Sequence, residues 1–311
     1  MAAARKPLDA FAIGTMLVLC VVWGAQQVAI KLAARDVVPI MQVALRSGLS
    51  AALVALVAWW RGDGLPFRDG TWRPGLVAAA LFGFEFLFIA EGLRHTSASH
   101  MVVFLYTAPV FAALGLHWLL PPERLGALQW VGIAVAFAGI ALAFGGGSSR
   151  GVSLPVLWGD ALGVLAGAAW GATTVVIRGS SLSEAPPGQT LLYQLLGAFA
   201  LLLAVAAASG QATQLSMTGV AWASLLFQGV VVSFASYLAW FWLLRRYLAT
   251  RLSVFSFMAP LFGVTFGVLL LRERVDAWFA AGAALVLAGI TIVSGSGALR
   301  RWTAGARVVD R

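Results

Sequence analysis

The 311-residue chain is poor in the side chains that soluble and catalytic proteins depend on. It has one cysteine, Cys20, which excludes a disulfide framework and a thiolate metal cluster. Its three histidines, His95, His100 and His117, have no spacing that suits zinc and read as interfacial side chains near helix ends. Charged residues make up only 11%, where a soluble domain sits near a quarter. Asp9, Asp36, Asp63 and Asp69 fall in loops or at the ends of apolar runs. No Asp-rich metal motif of an intramembrane prenyl or acyl transferase is present, so the chain reads as a non-enzyme without metal or cofactor. The basic excess of 21 Lys and Arg over 12 Asp and Glu has no soluble module to sit on, which argues against nucleic acid as a partner.

What the chain has in plenty is apolar surface, at 61% of residues. A helix needs about 20 mostly apolar residues to cross the hydrocarbon. Ten such runs occur, roughly 10–31, 39–60, 75–93, 98–120, 126–145, 157–177, 189–209, 218–244, 252–271 and 277–296. The first follows Arg5 and Lys6 but is too long for a signal peptide. The expected fold is all-α and polytopic, with membrane lipid as a partner.

The runs also repeat. Trp23-Gly24-Ala25, opening a stretch that ends in Ala29-Ile30-Lys31, returns as Trp170-Gly171-Ala172 and Val176-Ile177-Arg178. Pro39 and Arg46 find Pro186 and Tyr193. Ala108-Pro109-Val110-Phe111 returns as Ala259-Pro260-Leu261-Phe262, and Ala138-Gly139-Ile140 as Ala288-Gly289-Ile290. The units are residues 1–147 and 148–311. Each holds five runs, an odd number, so the second enters the membrane with opposite orientation. Inverted repeats of this kind usually flank a substrate site at the bilayer midplane.

Lys and Arg in the loops set the orientation. With the N-terminus inside, Arg5, Lys6, Arg61, Arg68, Arg73, Arg124, Arg178, Arg245, Arg246, Arg251, Arg300, Arg301, Arg307 and Arg311 are cytoplasmic. Lys31, Arg35, Arg94, Arg150, Arg272 and Arg274 fall on the other side. Both termini are therefore expected in the cytoplasm.

Polar and small residues share stripes with large aromatics on six runs. These are Trp23, Gln26, Gln27 and Ile30; Phe84, Glu85, Phe88 and Glu91; Val102, Leu105, Tyr106 and Pro109; Trp170, Thr173, Thr174 and Ile177; Ser233, Ser236, Tyr237 and Trp240; and Ser253, Ser256, Phe257 and Pro260. Residues at these spacings lie on one helix face. Each stripe alone is compatible with helix packing. Six related by a repeat favour one central cavity. The expected lining is Trp23, Gln26, Gln27, Glu85, Phe88, Tyr106, Trp170, Thr174, Ser236, Tyr237, Trp240, Ser256 and Phe257. Gly132, Ala136 and Gly139, with Gly282, Ala284, Ala288 and Gly289, read as close helix contacts within one protomer or between protomers. Monomer and weak homo-oligomer both stay open.

Glu85 is the sharpest single residue. An acid near mid-membrane costs roughly 2.5–3.5 kcal/mol on insertion scales. It reads as a proton-coupling carboxylate or a partner for a substrate ammonium, against a neutral acid bridging two helices. Glu91 is expected to pair with Arg94, and Arg46 to snorkel or cap a carbonyl, with a substrate carboxylate as the minority reading. Pro109 and Pro260 mark matched kinks.

The Trp23-Gly24-Ala25 opening, Arg46, the segment Glu91-Gly92-Leu93-Arg94-His95-Thr96-Ser97-Ala98-Ser99, the two Ala-Pro-x-Phe motifs, Glu123 and its echo Glu273 form an ordered set. Together they resemble the EamA type of the drug/metabolite transporter superfamily, over nearly the whole chain. The resemblance implies a bacterial inner-membrane carrier that exports a small-molecule substrate by alternating access, with protons as a candidate second partner. The richness in Trp and Phe is similar to YddG-type exporters of aromatic and other amino acids. Alternatives are export of other metabolites or cationic drugs, or, from other classes, a transferase or a channel. Tyr193 in place of Arg46 implies that the halves contribute unequally.

Overall fold

The computed structural model describes residues 9–62, 70–120, 124–148, 153–213, 215–247, 252 and 255–309. Ser253, Glu123 and the basic residues Arg5, Lys6, Arg68, Arg150, Arg251 and Arg311 lie outside them. The chain is helical in order: α1 (Ala10–Ala33), α2 (Pro39–Trp60), α3 (Trp72–Gly92), α4 (Ala98–Leu105), α5 (Ala108–Leu119), α6 (Ala127–Ser148), α7 (Leu154–Arg178), α8 (Pro187–Ala208), α9 (Gly219–Leu226), a π-helix (Phe227–Ser236), α10 (Tyr237–Arg246), α11 (Met258–Leu271) and α12 (Ala277–Val309). All ten apolar runs recur. Among the described residues nine become segments long and apolar enough to span a membrane, and the tenth is the shorter apolar α11.

Local chemistry fixes several ends. The Asp9 carboxylate accepts from the Ala12 amide at 2.8 Å and starts α1. Pro39 and Pro187 open α2 and α8, where a missing N–H costs nothing. Ser97 accepts from the His100 amide at 3.0 Å and starts α4.

Two runs read as continuous helices are interrupted. Residues 98–119 divide at Tyr106-Thr107, just before Pro109, and Phe257 forms a turn just before Pro260. The prolines thus sit at the start of a second half-helix. Each lacks an N–H and its ring displaces the carbonyl four residues back. The Thr107 hydroxyl recovers part of the loss by donating to the Phe104 carbonyl at 2.6 Å. Gly167 of α7 closes on this break: a Cβ there would come within 3.0 Å of the Phe104 and Leu105 carbonyl oxygens. The run at 218–244 also departs from a plain α-helix. Its middle ten residues are π-helical, a rare geometry frequent at functional sites.

The two halves interlock. Gly24 of α1 packs against Ala259, Phe262 and Gly263 of α11, where a Cβ would fall 2.7–2.8 Å from their atoms. Its repeat mate Gly171 of α7 packs against Ala108, Phe111 and Ala112 of α5 in the same way, at 2.7–2.9 Å. Each half therefore lends its first helix to the other. Likewise α3 lies on α7 and α8, while α2 lies on α8 and the π-helix. The small residues of α6 and α12 meet within the protomer. A Cβ on Gly139 would fall 2.6 Å from the Gly282 carbonyl, and one on Gly282 would fall 2.6 Å from that of Gly139. Gly132 and Gly289 face each other in the same reciprocal manner. This settles one choice left open by the sequence.

Candidate functional site

A cavity of about 360 Å³ opens between α1, α3, α7, α8 and α10. Its apolar walls are Trp23, Phe82, Phe86, Leu105, Tyr106, Trp170, Ile177, Leu191, Tyr237 and Trp240. Its polar groups are Gln26, Gln27, Glu85, Thr173, Thr174, Arg178, Gln194 and Ser256. The rings brace one another in pairs, each holding one of the repeat mates Trp23 and Trp170. Trp23 meets Trp240 edge-on at 5.7 Å, and Tyr106 meets Trp170 edge-on at 5.4 Å.

Ten of the expected residues line this space: Trp23, Gln26, Gln27, Glu85, Tyr106, Trp170, Thr174, Tyr237, Trp240 and Ser256. Three do not. Phe88 is half-buried against the core outside the cavity, its ring stacked on the exposed Phe84 at 6.1 Å. The inward stripe of α3 runs instead through Phe82, Glu85, Phe86 and Ile89, all buried. Ser236 is buried behind the wall, where its hydroxyl accepts from the Trp23 indole at 2.9 Å and donates to the Val232 carbonyl. It orients a wall residue instead of being one. Phe257 is the buried turn residue before α11.

Phe82, Phe86, Arg178, Leu191 and Gln194 line the cavity without having been singled out for it. Arg178 ends α7, and Gln194 lies on α8, where Thr190, Tyr193 and Gln194 share one face at i, i+3 and i+4. Phe82 and Phe86 were legible at i and i+4 beside Glu85, had that stripe been drawn one residue over.

Arg46 corrects a further expectation. It does not snorkel. The side chain is completely buried, and Nε, Nη1 and Nη2 have no hydrogen-bond partner. Its guanidinium lies 4.1 Å from the centroid of the Phe86 ring. Glu85 is 4% exposed and its Oε2 is also without a partner. Arg46, Glu85 and Tyr237 lie within electrostatic reach of one another, yet Arg46 and Glu85 form no direct ion pair among the described residues. Gln27 Oε1, Gln228 Oε1 and Ser233 Oγ are buried and unpartnered as well. Buried polar atoms are rarely left this way, and here they gather on α1, α2, α3 and the π-helix.

The cavity runs toward the end of the bundle that carries Ile177 and Arg178. The opposite end is tied shut. Glu273, just past α11, accepts from the Ala98 amide at 2.7 Å, the Ser99 amide at 3.0 Å and the Ser99 hydroxyl at 2.6 Å. The N-terminus of α4 is thereby capped by a carboxylate from the other half. Asp160, at the start of α7, takes hydrogen bonds from Thr96 and from His100 Nδ1. The His100 ring stacks on Phe279 at 3.7 Å. This histidine, expected at an interface, is mostly buried and built into the seal. Asp36 adds a third tie through Thr218 and the Ser216 amide. Glu91 pairs with Arg94 at 2.8 Å, as its spacing indicates.

The sequence profile of the EamA-like transporter family matches residues 10–145 and again 157–295. The chain belongs to the EamA-like transporter family. Each copy of the profile covers one five-run unit, so the internal repeat is the family's own. An uncharacterized transporter of Archaeoglobus fulgidus is 27% identical over 88% of this chain and 93% of its own length. The uncharacterized transporter YoaV of Bacillus subtilis is 23% identical over 86% and 91%. A solved crystal structure superposes with a TM-score of 0.65 at 19% identity, covering 92% of this chain and 98% of the other, and shares its fold. The EamA-like chain described here is thus a multi-pass membrane transporter built from two repeats.

Proposed function

We propose that this transporter exports small amino-acid-like solutes, with apolar or aromatic side chains, from the cytoplasm by alternating access. The observation that carries the reading is the cavity itself: a wall of Trp, Tyr and Phe with one buried carboxylate, Glu85, and a few amides and hydroxyls. Aromatic walls take an apolar side chain, and the few polar groups hold the polar end. About 360 Å³ suits a solute of that size. The charge bias of the loops puts the Arg178 end in the cytoplasm, so the structure corresponds to an inward-open state sealed outside by Glu273, Asp160 and Asp36. Both termini are then cytoplasmic, in the inner membrane of a bacterium. Glu85 is the proposed proton-coupling group, within electrostatic reach of Arg46, Tyr106 and Tyr237. Export of cationic drugs is the second reading, favoured by an aromatic box around a single acid.

Purified protein in liposomes preloaded with unlabelled solute should show saturable counterflow of labelled phenylalanine or leucine. Counterflow with organic cations alone would favour the second reading. Non-saturable flux would indicate a channel.

A further inference from the structure

We propose that Arg46 and Glu85 together make the site electrically neutral, so that it selects zwitterionic solutes over organic cations and anions. The inference rests on the amino-acid reading above and names the charge class of its substrate. It begins with Arg46. Glu85 within a box of Trp23, Tyr106, Trp170, Tyr237 and Trp240 would by itself be a cation site. Yet one ring behind the wall stands a second, opposite charge. The Arg46 guanidinium lies on the face of Phe86, and Phe86 lines the cavity.

No carboxylate or other acceptor meets the three Arg46 nitrogens, so its field is not cancelled locally. Nor is that of Glu85, whose Oε2 is equally unpartnered. Both groups sit among buried helices, where charges act over longer range than in water. With the Glu85 carboxylate ionised, what the cavity senses is their sum, which is zero. A zwitterion leaves that sum unchanged, whereas a cation or an anion adds an uncompensated charge to a low-dielectric interior. Arg178 also lines the cavity, but at its exposed end, where solvent screens it.

Arg46 thus acts as a specificity-determining residue through its field, without touching the solute. This also accounts for a buried arginine that makes no hydrogen bond. The repeat mate, Tyr193, plays no such part: its hydroxyl pairs with that of Thr71 at 3.2 Å.

The test is counterflow in liposomes of phenylalanine, its decarboxylated amine phenethylamine and its deaminated acid 3-phenylpropionate. Wild type should prefer phenylalanine to both. Arg46→Gln leaves an unbalanced acid, and the amine-to-zwitterion ratio should rise about tenfold. Glu85→Gln leaves an unbalanced guanidinium, and the acid-to-zwitterion ratio should rise by a similar factor. The double variant should return toward wild type, and Arg46→Lys should keep the wild-type order. If Arg46→Gln does not fold, the Glu85→Gln and double variants still read the rule. Folded charge variants whose ratios stay fixed, or move in the same direction, would overturn the inference and leave amino-acid transport standing. So would a wild type that exchanges only the amine or only the acid. A wild type that exchanges none of the three removes the amino-acid reading, and the inference with it.

Discussion

Removing the Glu273 cap should open the far end of the bundle. This carboxylate joins the end of α11 to the first turn of α4 through three donors, at 2.6–3.0 Å. Glu273→Gln keeps one acceptor oxygen and turns the other into a donor that must face an N–H or the Ser99 hydroxyl. A hydrogen bond to a charged group contributes about 1.5–3 kcal/mol, and a charge at a helix N-terminus about 0.3–1 kcal/mol. The lost seal therefore amounts to about 2–4 kcal/mol. A loss of about 2.7 kcal/mol brings a 99:1 preference to roughly even. The opposite gate should then be populated without substrate.

The assay is thiol labelling with a membrane-impermeant reagent from each side, using Thr174→Cys in the cavity wall. The native Cys20 is a clean background, since it is fully buried and donates to the Phe255 carbonyl at 3.1 Å. Labelling from the side bearing Glu273 should rise steeply in Glu273→Gln. Gly267→Ala should act in the same direction, because a Cβ there would collide with the Ser99 hydroxyl and the Glu273 carboxylate. Unchanged labelling from that side, in a protein with wild-type thermal stability, would refute the assignment of this contact as a gate.

Two further outcomes follow from the packing and the site. Gly171→Ala forces a Cβ to within 2.7 Å of the Phe111 Cβ and 2.8 Å of the Ala112 amide nitrogen, and overpacking of this kind costs about 1–3 kcal/mol. Thermal unfolding should show that loss, while Gly14→Ala, with nothing within 4 Å, should not. Glu85→Gln should lower the ratio of pH-gradient-driven accumulation to simple counterflow. A folded variant with the wild-type ratio would assign the acid to structure or substrate recognition alone.

Much of the fold was legible because the membrane imposes simple rules. Spans must be long and apolar, and every one of the ten runs is a helix or a set of helical segments. The matched prolines located both breaks, since ring and missing N–H act wherever they occur. Hidden from the sequence was anything set by rotation about a helix axis. On α3 a stripe through Phe84 and Phe88 is as regular as one through Phe82 and Phe86; only contact with its neighbours decides which faces the cavity. Ser236 illustrates a second limit. It precedes Tyr237 in the stripe, but the Trp23 indole and the Val232 carbonyl engage its hydroxyl as a brace. Arg46 shows a third. An arginine seven residues into a helix reads as a snorkelling side chain until its depth among α2, α3 and the π-helix is known.

The repeat gives the two ends of the bundle related joints, and its flaws make them unequal. Gly24 against α11 and Gly171 against α5 are the same joint built twice, so each half moves its neighbour's broken helix. Trp23 and Trp170 are repeat mates, while their edge-on ring partners, Trp240 and Tyr106, occupy non-equivalent positions. A solute in the cavity therefore meets one indole from each half. Charge does not follow the symmetry. Glu85 has Ser236 as its mate, and Arg46 has Tyr193. These two charges belong to the first half, on adjacent helices α2 and α3, and α2 packs on the π-helical segment of the second. Both halves contribute to the aromatic wall, whereas these two charges come from one. The asymmetric pair is therefore the part of the site able to register which way the cavity faces. This is why substitutions at Arg46 and Glu85 should alter selectivity and coupling, whereas substitutions at the glycine joints should alter stability.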